Sequence, residues 1–148
     1  MAQHQDSCDV CRQLALAEAG EHPRFVANLS QSVVVMGPHQ VWPGYTMLLV
    51  RQPVTELDEL SEPDYLELMS ELRRVAKAVR EVTNADKLNY EALGNQCHHL
   101  HWHIFPRQAN EPRRLEPVWT SFPENMADYR YDAEKHDQIR AAFTSRLL

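Results

Sequence analysis

The chain has 148 residues, 43% of them apolar, and a formal net charge of −6. That length fits one domain with a real core. The acidic balance and the lack of a Lys/Arg block argue against a nucleic-acid polymer as partner, and no apolar run approaches the roughly 20 residues needed to span a bilayer, so no membrane partner is expected.

Met1 to Val10 lacks the basic-then-apolar layout of a signal peptide. Cys8, Cys11 and Cys97 are an odd number and make no disulfide framework. The expectation is a reducing, cytoplasmic setting. Residues 10–19, with Leu14, Leu16 and several alanines, predict a short helix stopped by Gly20. Residues 25–29 and 32–36 predict short strands. Gly37-Pro38 and Pro43-Gly44 mark turns on either side of Trp42. The apolar run 45–50, YTMLLV, predicts a buried strand.

A long helix follows. Ser61 caps it, with Asp64 three residues on. Leu66, Met69, Leu72, Val75, Ala76 and Val79 form its apolar face at spacings of three or four. Glu67, Glu71, Arg74, Lys77 and Arg80 read as its solvated face. Residues 88–92 predict a strand, 93–96 a loop, and 97–105 a further strand that Pro106 ends. Residues 110–123, rich in proline and charge, read as a loop, and 133–147 as a final helix. The class is α+β with an antiparallel sheet. His4, His22 and His136 sit in polar segments and read as surface residues. Trp42 and Trp119 read as packing residues that can also meet a base. Arg107, Arg113 and Arg114 read as solvated loop arginines that can also steer a polyphosphate.

Residues 98–107, HHLHWHIFPR, hold four of the eight histidines. Successive strand side chains point to opposite faces, so His99, His101 and His103 share one face while Leu100, Trp102 and Ile104 share the other. Alternate side chains lie roughly 6.5–7 Å apart, close enough for neighbouring imidazoles to contact one ligand. Such a row suits zinc ligation or nucleophilic catalysis by a neutral imidazole with its neighbours orienting it. A plain polar sheet face is the remaining reading.

His99-Leu100-His101-Trp102-His103-Ile104-Phe105 resembles the signature of the histidine triad (HIT) family. Gly94-Asn95-Gln96-Cys97 resembles the loop leading into that signature, and Pro106-Arg107 the pair that follows it. Pro43-Gly44 and residues 57–60 fall where the family places them. The resemblance covers residues 8–107 and implies a single HIT-like domain over 1–148, with 108–148 as a C-terminal extension. It implies nucleotidyl transfer with no cofactor required: His101 attacks an α-phosphorus, the nucleotide rests on its ring, and water or another acceptor releases it. His99 and His103 would flank the nucleophile, the carbonyl of His99 holding the ring of His101 and His103 meeting phosphate oxygens. A phosphoryl-type transition state needs charge stabilisation, which imidazolium and backbone amides supply without a metal.

The resemblance makes Asn95, Gln96 and Asn89 the candidate phosphate-binding amides. It puts Gly37 where relatives carry an acidic or amide residue for the ribose, with His39 or Gln40 as substitutes. It puts Tyr45 and Gln52 at two positions where histidine is common. Run 50–60, VRQPVTELDEL, is similar to the dinucleoside polyphosphate hydrolase branch. A dinucleoside polyphosphate is thus the first substrate class and a nucleoside phosphoramidate the second. The rivals are a nucleotide- or metal-binding protein without turnover. A homodimer is implied by resemblance.

Cys8-Asp9-Val10-Cys11 is a C-x-x-C pair, which supplies two zinc ligands of the four a structural site needs. Resemblance to zinc-binding relatives adds His99 and puts Gln52 at the fourth place. His98, His39 and Cys97 are other candidates for it, and spacing alone selects none. A reduced thiol pair beside the first helix is the alternative.

Overall fold

The computed structural model describes residues 8–148; His4 lies outside them, as does most of the stretch read against a signal peptide. The elements run α1 (Asp9–Glu18), β1 (Phe25–Asn28), β2 (Ser32–Met36), β3 (Thr46–Val50), α2 (Glu62–Thr83), β4 (Lys87–Glu91), β5 (His101–Arg107) and α3 (Ala133–Leu147). The strands form one antiparallel sheet in the order β1-β2-β3-β5-β4. The class is α+β, as expected.

Both faces of the sheet are covered. Leu68, Val75 and Val79 of α2 pack with Val34, Leu48, Trp102 and Ile104, and Phe143 and Leu147 of α3 join them. On the other face Val10 and Ala17 of α1 pack with Val33, Val35, Leu49 and Phe105. Every residue of β2 and β3 is therefore buried, which accounts for their continuous apolar runs. The last helix returns to the sheet edge: Thr144 Oγ1 donates to the Val26 carbonyl at 2.8 Å, and Arg140 to that of Phe25 at 3.0 Å. No helix among the described residues is long and apolar enough to cross a membrane.

Ser61 caps α2 as expected, accepting from the Asp64 amide at 3.3 Å. The buried face of α2 differs from the expectation at two places. Leu66 is 59% exposed, and Leu68 takes the core position. Glu71, expected in solvent, is 1% exposed. It accepts from the Gln31 amide at 2.8 Å and the Ser32 hydroxyl at 2.6 Å, so both carboxyl oxygens are buried with partners on the β1–β2 turn and β2. β5 starts at His101 rather than residue 97 and runs through Pro106. Its pairing with β3 ends at Ile104, so from there β5 has β4 alone beside it, a one-sided position that tolerates proline.

His22 is buried rather than on the surface. It accepts from the Arg24 amide at 3.1 Å and donates to Gln13 Oε1 at 3.2 Å, tying α1 to the start of β1. Burial, then the Arg24 charge, pushes its pKa down to about 4. Below the ordinary value near 6.5 the unfolded chain takes up a proton that the folded chain refuses. Stability therefore falls as pH drops from about 6.5 to 4, by up to about 3 kcal/mol from this residue. Urea unfolding of His22→Gln at pH 7 and pH 4 is expected to show a loss on acidification smaller than wild type by on the order of 2 kcal/mol. Equal losses would refute that role.

Candidate active site

β5 lies between β3 and β4, with His101 opposite Leu49 and His103 flanked by Met47 and Glu91. The alternation puts Leu100, Trp102 and Ile104 into the α2-side core, as expected. The rings of His101 and His103 stand edge to face, centroids 4.9 Å apart. His99 sits at a bend just before the strand and is 1% exposed.

Each ring has one nitrogen fixed. His101 Nδ1 donates to the His99 carbonyl at 2.6 Å, which leaves Nε2 as the nitrogen with a lone pair. His99 Nε2 donates to the Val50 carbonyl at 2.6 Å, so its Nδ1 lone pair faces Cys11 Sγ at 3.3 Å and Cys8 Sγ at 3.7 Å. Tyr45 is buried, and burial raises its phenol far above the usual range, so it stays a donor. Its hydroxyl lies 2.6 Å from His103 Nδ1, which leaves His103 with a proton on Nε2. Burial, then His101 and His39, pushes the His103 pKa down to about 3. His103 is neutral at physiological pH, and the imidazolium expected from sequence is replaced there by a neutral N–H donor.

Around His103 the walls are aromatic. Tyr45 stacks on Phe105 at 4.1 Å, and Trp119, 37% exposed, stands edge-on to His103 at 5.0 Å. Trp42 is buried against Phe105, which fits its reading as a packing residue.

Asn95 and Gln96 are exposed in the loop before β5, and Asn89 lies on β4. Asn89 Oδ1 accepts from Arg107 at 2.7 Å. Arg107 itself is 4% exposed rather than solvated. It pairs with Glu111 and donates to the Glu116 carbonyl at 3.0 Å and the Arg113 carbonyl at 3.2 Å, so it holds down the segment that carries Trp119. Arg113 and Arg114 are exposed. Gln40 is not available to a ribose: its amide donates to the Gly37 and Tyr45 carbonyls and accepts from the Gly44 amide. His39 is half-buried, its ring beside Tyr45 and Phe122.

Glu91 is a site residue missing from the sequence reading. It faces His103 across β4 and β5, burial raises its pKa, and its Oε2 is buried without a hydrogen-bond partner. The alternation that puts Asn89 on this face was the available signal, since Glu91 is two residues on.

Cys8, Cys11 and His99 bring three ligand atoms within 4.8 Å of one another. Cys8 is the N-cap of α1, and its sulfur accepts from the Cys11 amide at 3.4 Å, which fixes both cysteines on the first turn of the helix.

The HIT domain model matches residues 21–110. The chain belongs to the HIT family. That family includes nucleotide hydrolases and transferases. A histidine triad protein of Bradyrhizobium japonicum is 28% identical, with a TM-score of 0.76 over 89% of this HIT chain and 96% of that one. A CWF19-like protein of Schizosaccharomyces pombe is 31% identical over 97 residues, which is 64% of this chain and 17% of that relative. The chain thus spans about a sixth of that relative's length. A zinc-bound HIT protein of Mycobacterium smegmatis shares the fold at 17% identity, with a TM-score of 0.64 over 95% of each chain.

Proposed function

We propose that this HIT protein is a nucleotide hydrolase or nucleotidyl transferase that works through a nucleotidyl-histidine on His101, with dinucleoside polyphosphates as its substrate class. The observation that carries this is the 2.6 Å hydrogen bond from His101 Nδ1 to the His99 carbonyl, which aims a lone pair on Nε2. Nε2 forms a bond to the α-phosphorus while the bond to the departing polyphosphate oxygen breaks. Water then forms a P–O bond as the N–P bond breaks, its proton leaving to solvent and the N–P electron pair returning to Nε2, which regenerates the neutral imidazole. The neutral Nε2–H of His103 hydrogen-bonds a phosphate oxygen and keeps its proton, and Tyr45 holds that proton on the correct nitrogen. Asn95 and Gln96, exposed in the loop before β5, offer amides to the phosphates, with Asn89 behind them. Trp119 offers a partly exposed ring to a base. Substitution at phosphorus changes no oxidation state, so the proposed steps call for no redox cofactor.

The test is a mass spectrum after brief incubation with diadenosine polyphosphate, quenched without acid, beside His101→Ala. An added nucleotidyl mass on the native protein alone supports the proposal. No adduct and no released mononucleotide, from either dinucleoside polyphosphates or nucleoside phosphoramidates, would refute it and favour a binding protein.

We further propose a structural zinc held by Cys8, Cys11 and His99. The donor set is one zinc prefers, and a zinc-bound protein that shares the fold supports the reading. Bound there, zinc supplies a cross-link between α1 and the bend whose carbonyl orients His101. The three free cysteines support a reducing, cytoplasmic setting. The return of α3 onto β1 supports reading 108–148 as part of the same HIT-like unit.

A homodimer is the last element of this reading. β4 is an open sheet edge, and beside it a groove against α2 is lined by Met69, Leu72 and Tyr90, the last 49% exposed. Sedimentation is expected to give twice the chain mass, with Tyr90→Lys shifting the protein toward monomer. A monomer at all concentrations would rule this out.

A further inference from the structure

The zinc reading leaves the fourth ligand open. In a tetrahedral site with Zn–S near 2.3 Å and Zn–N near 2.0–2.1 Å, two sulfurs lie roughly 3.8 Å apart and a sulfur and a nitrogen roughly 3.5 Å apart. Cys97 Sγ is 3.5 Å from Cys8 Sγ. Cys8 Sγ is 3.7 Å, and Cys11 Sγ 3.3 Å, from His99 Nδ1. Each of these three separations is close to the edge length a single tetrahedral ion imposes; Cys97 Sγ reaches Cys8 but stands outside the 4.8 Å cluster of Cys8, Cys11 and His99, so it completes the tetrahedron by turning its side chain toward them. We propose that Cys97 is the fourth donor, making a Cys3His site; the proposal rests on the zinc reading above.

The competing fourth ligands are placed elsewhere. The Gln52 amide donates to Asp64 Oδ2 at 3.0 Å and to Gln31 Oε1 at 3.4 Å, at the start of α2, and its neighbours Arg51 and Pro53 are the residues that line the groove beside the cysteines. His98 is exposed, and His39 packs against Tyr45 and Phe122. Cys97 precedes His99 by two residues, so the lead-in to β5 contributes two donors and the first turn of α1 the other two. Both ends of the cross-link are then held by two bonds each, which fixes the direction of the lead-in as well as its position. A pair of bonds at that end also holds the His99 carbonyl in line with His101 Nδ1. The 2.6 Å bond from His99 Nε2 to the Val50 carbonyl sets the tautomer that a zinc-bound imidazole needs.

The test uses the full chain loaded with zinc or with cobalt(II), read by metal-to-protein ratio, by competition with a chromophoric chelator, and by the sulfur-to-cobalt charge-transfer band. One metal per chain is expected. Loss of outer-shell partners already weakens metal sites by about 10- to 100-fold, so Cys97→Ser, which removes a ligand, is expected to weaken binding by more than about 100-fold. It should also lower the charge-transfer band by about one third, the share of one thiolate in three. Gln52→Ala should change neither. Maleimide labelling of the unmutated protein gives an independent readout: zinc should protect all three cysteines together, and chelation should release all three. Wild-type affinity and band in Cys97→Ser, or labelling of Cys97 while zinc protects Cys8 and Cys11, overturns the fourth ligand and leaves the three-residue zinc reading standing. No metal uptake by the unmutated chain, or a Cys8–Cys97 disulfide in protein purified under reducing conditions, overturns both.

Discussion

His101→Ala is expected to lower turnover of a dinucleoside polyphosphate by at least about 10⁴-fold and to erase the nucleotidyl adduct. The size follows from the role. A positioned acid–base group contributes roughly 10² to 10⁴-fold, and removing the nucleophile of a covalent pathway costs at least the upper end, because no second route of comparable barrier remains. Neither neighbour can stand in. His103 has Nδ1 engaged by Tyr45 and a proton on Nε2, and His99 has Nε2 on the Val50 carbonyl with Nδ1 turned toward sulfur. The fold should survive, since the side-chain hydrogen bond of His101 goes to the His99 carbonyl on the lead-in to β5 and joins no two strands of the sheet. Turnover in single-cycle kinetics and a circular dichroism spectrum check the two halves together. A folded variant that hydrolyses substrate within tenfold of wild type would end the covalent mechanism.

The parts of this structure that were legible in the sequence are those set by local periodicity. The alternation from Leu100 to Phe105 assigns each side chain to its face because strand geometry allows no other assignment. Ser61 is readable as a cap because its partner, Asp64, is three residues away. What escaped was set by residues distant in the chain. Glu71 has the pattern of a surface residue, and it is buried because Gln31 and Ser32 arrive from another element to satisfy it. Arg107 looks like the head of a loop, yet the chain after it folds back so that the carbonyls of Arg113 and Glu116 accept its protons. The juxtaposition of Cys8 with Cys97 spans 89 positions, and no spacing rule reaches across it. His22 belongs with these: its polar neighbours in sequence gave no sign that Gln13 and Arg24 would enclose it.

Two departures from the family pattern, Gly37 and Tyr45, are one departure. A Cβ built on Gly37 would lie 2.1 Å from Tyr45 Cδ1 and 2.2 Å from Cε1, so the ring of Tyr45 occupies the volume that any side chain at 37 requires. The ring cannot step aside, since it stacks on Phe105 at 4.1 Å and its hydroxyl holds His103. Gly37→Ala is therefore expected to destabilise the protein by about 3 kcal/mol, the upper part of the usual range for overpacking a core. In a Tyr45→Ala background the same substitution should cost less than about 0.5 kcal/mol, giving a coupling energy of at least about 2 kcal/mol in a double-mutant cycle of urea unfolding. Equal costs in the two backgrounds would show that the ring and the glycine are independent. If the coupling is found, a carboxylate for the ribose at position 37 and a phenol fixing the His103 tautomer exclude each other in this fold. The chain then has the second, and its ribose contact has to come from a side chain other than that at position 37.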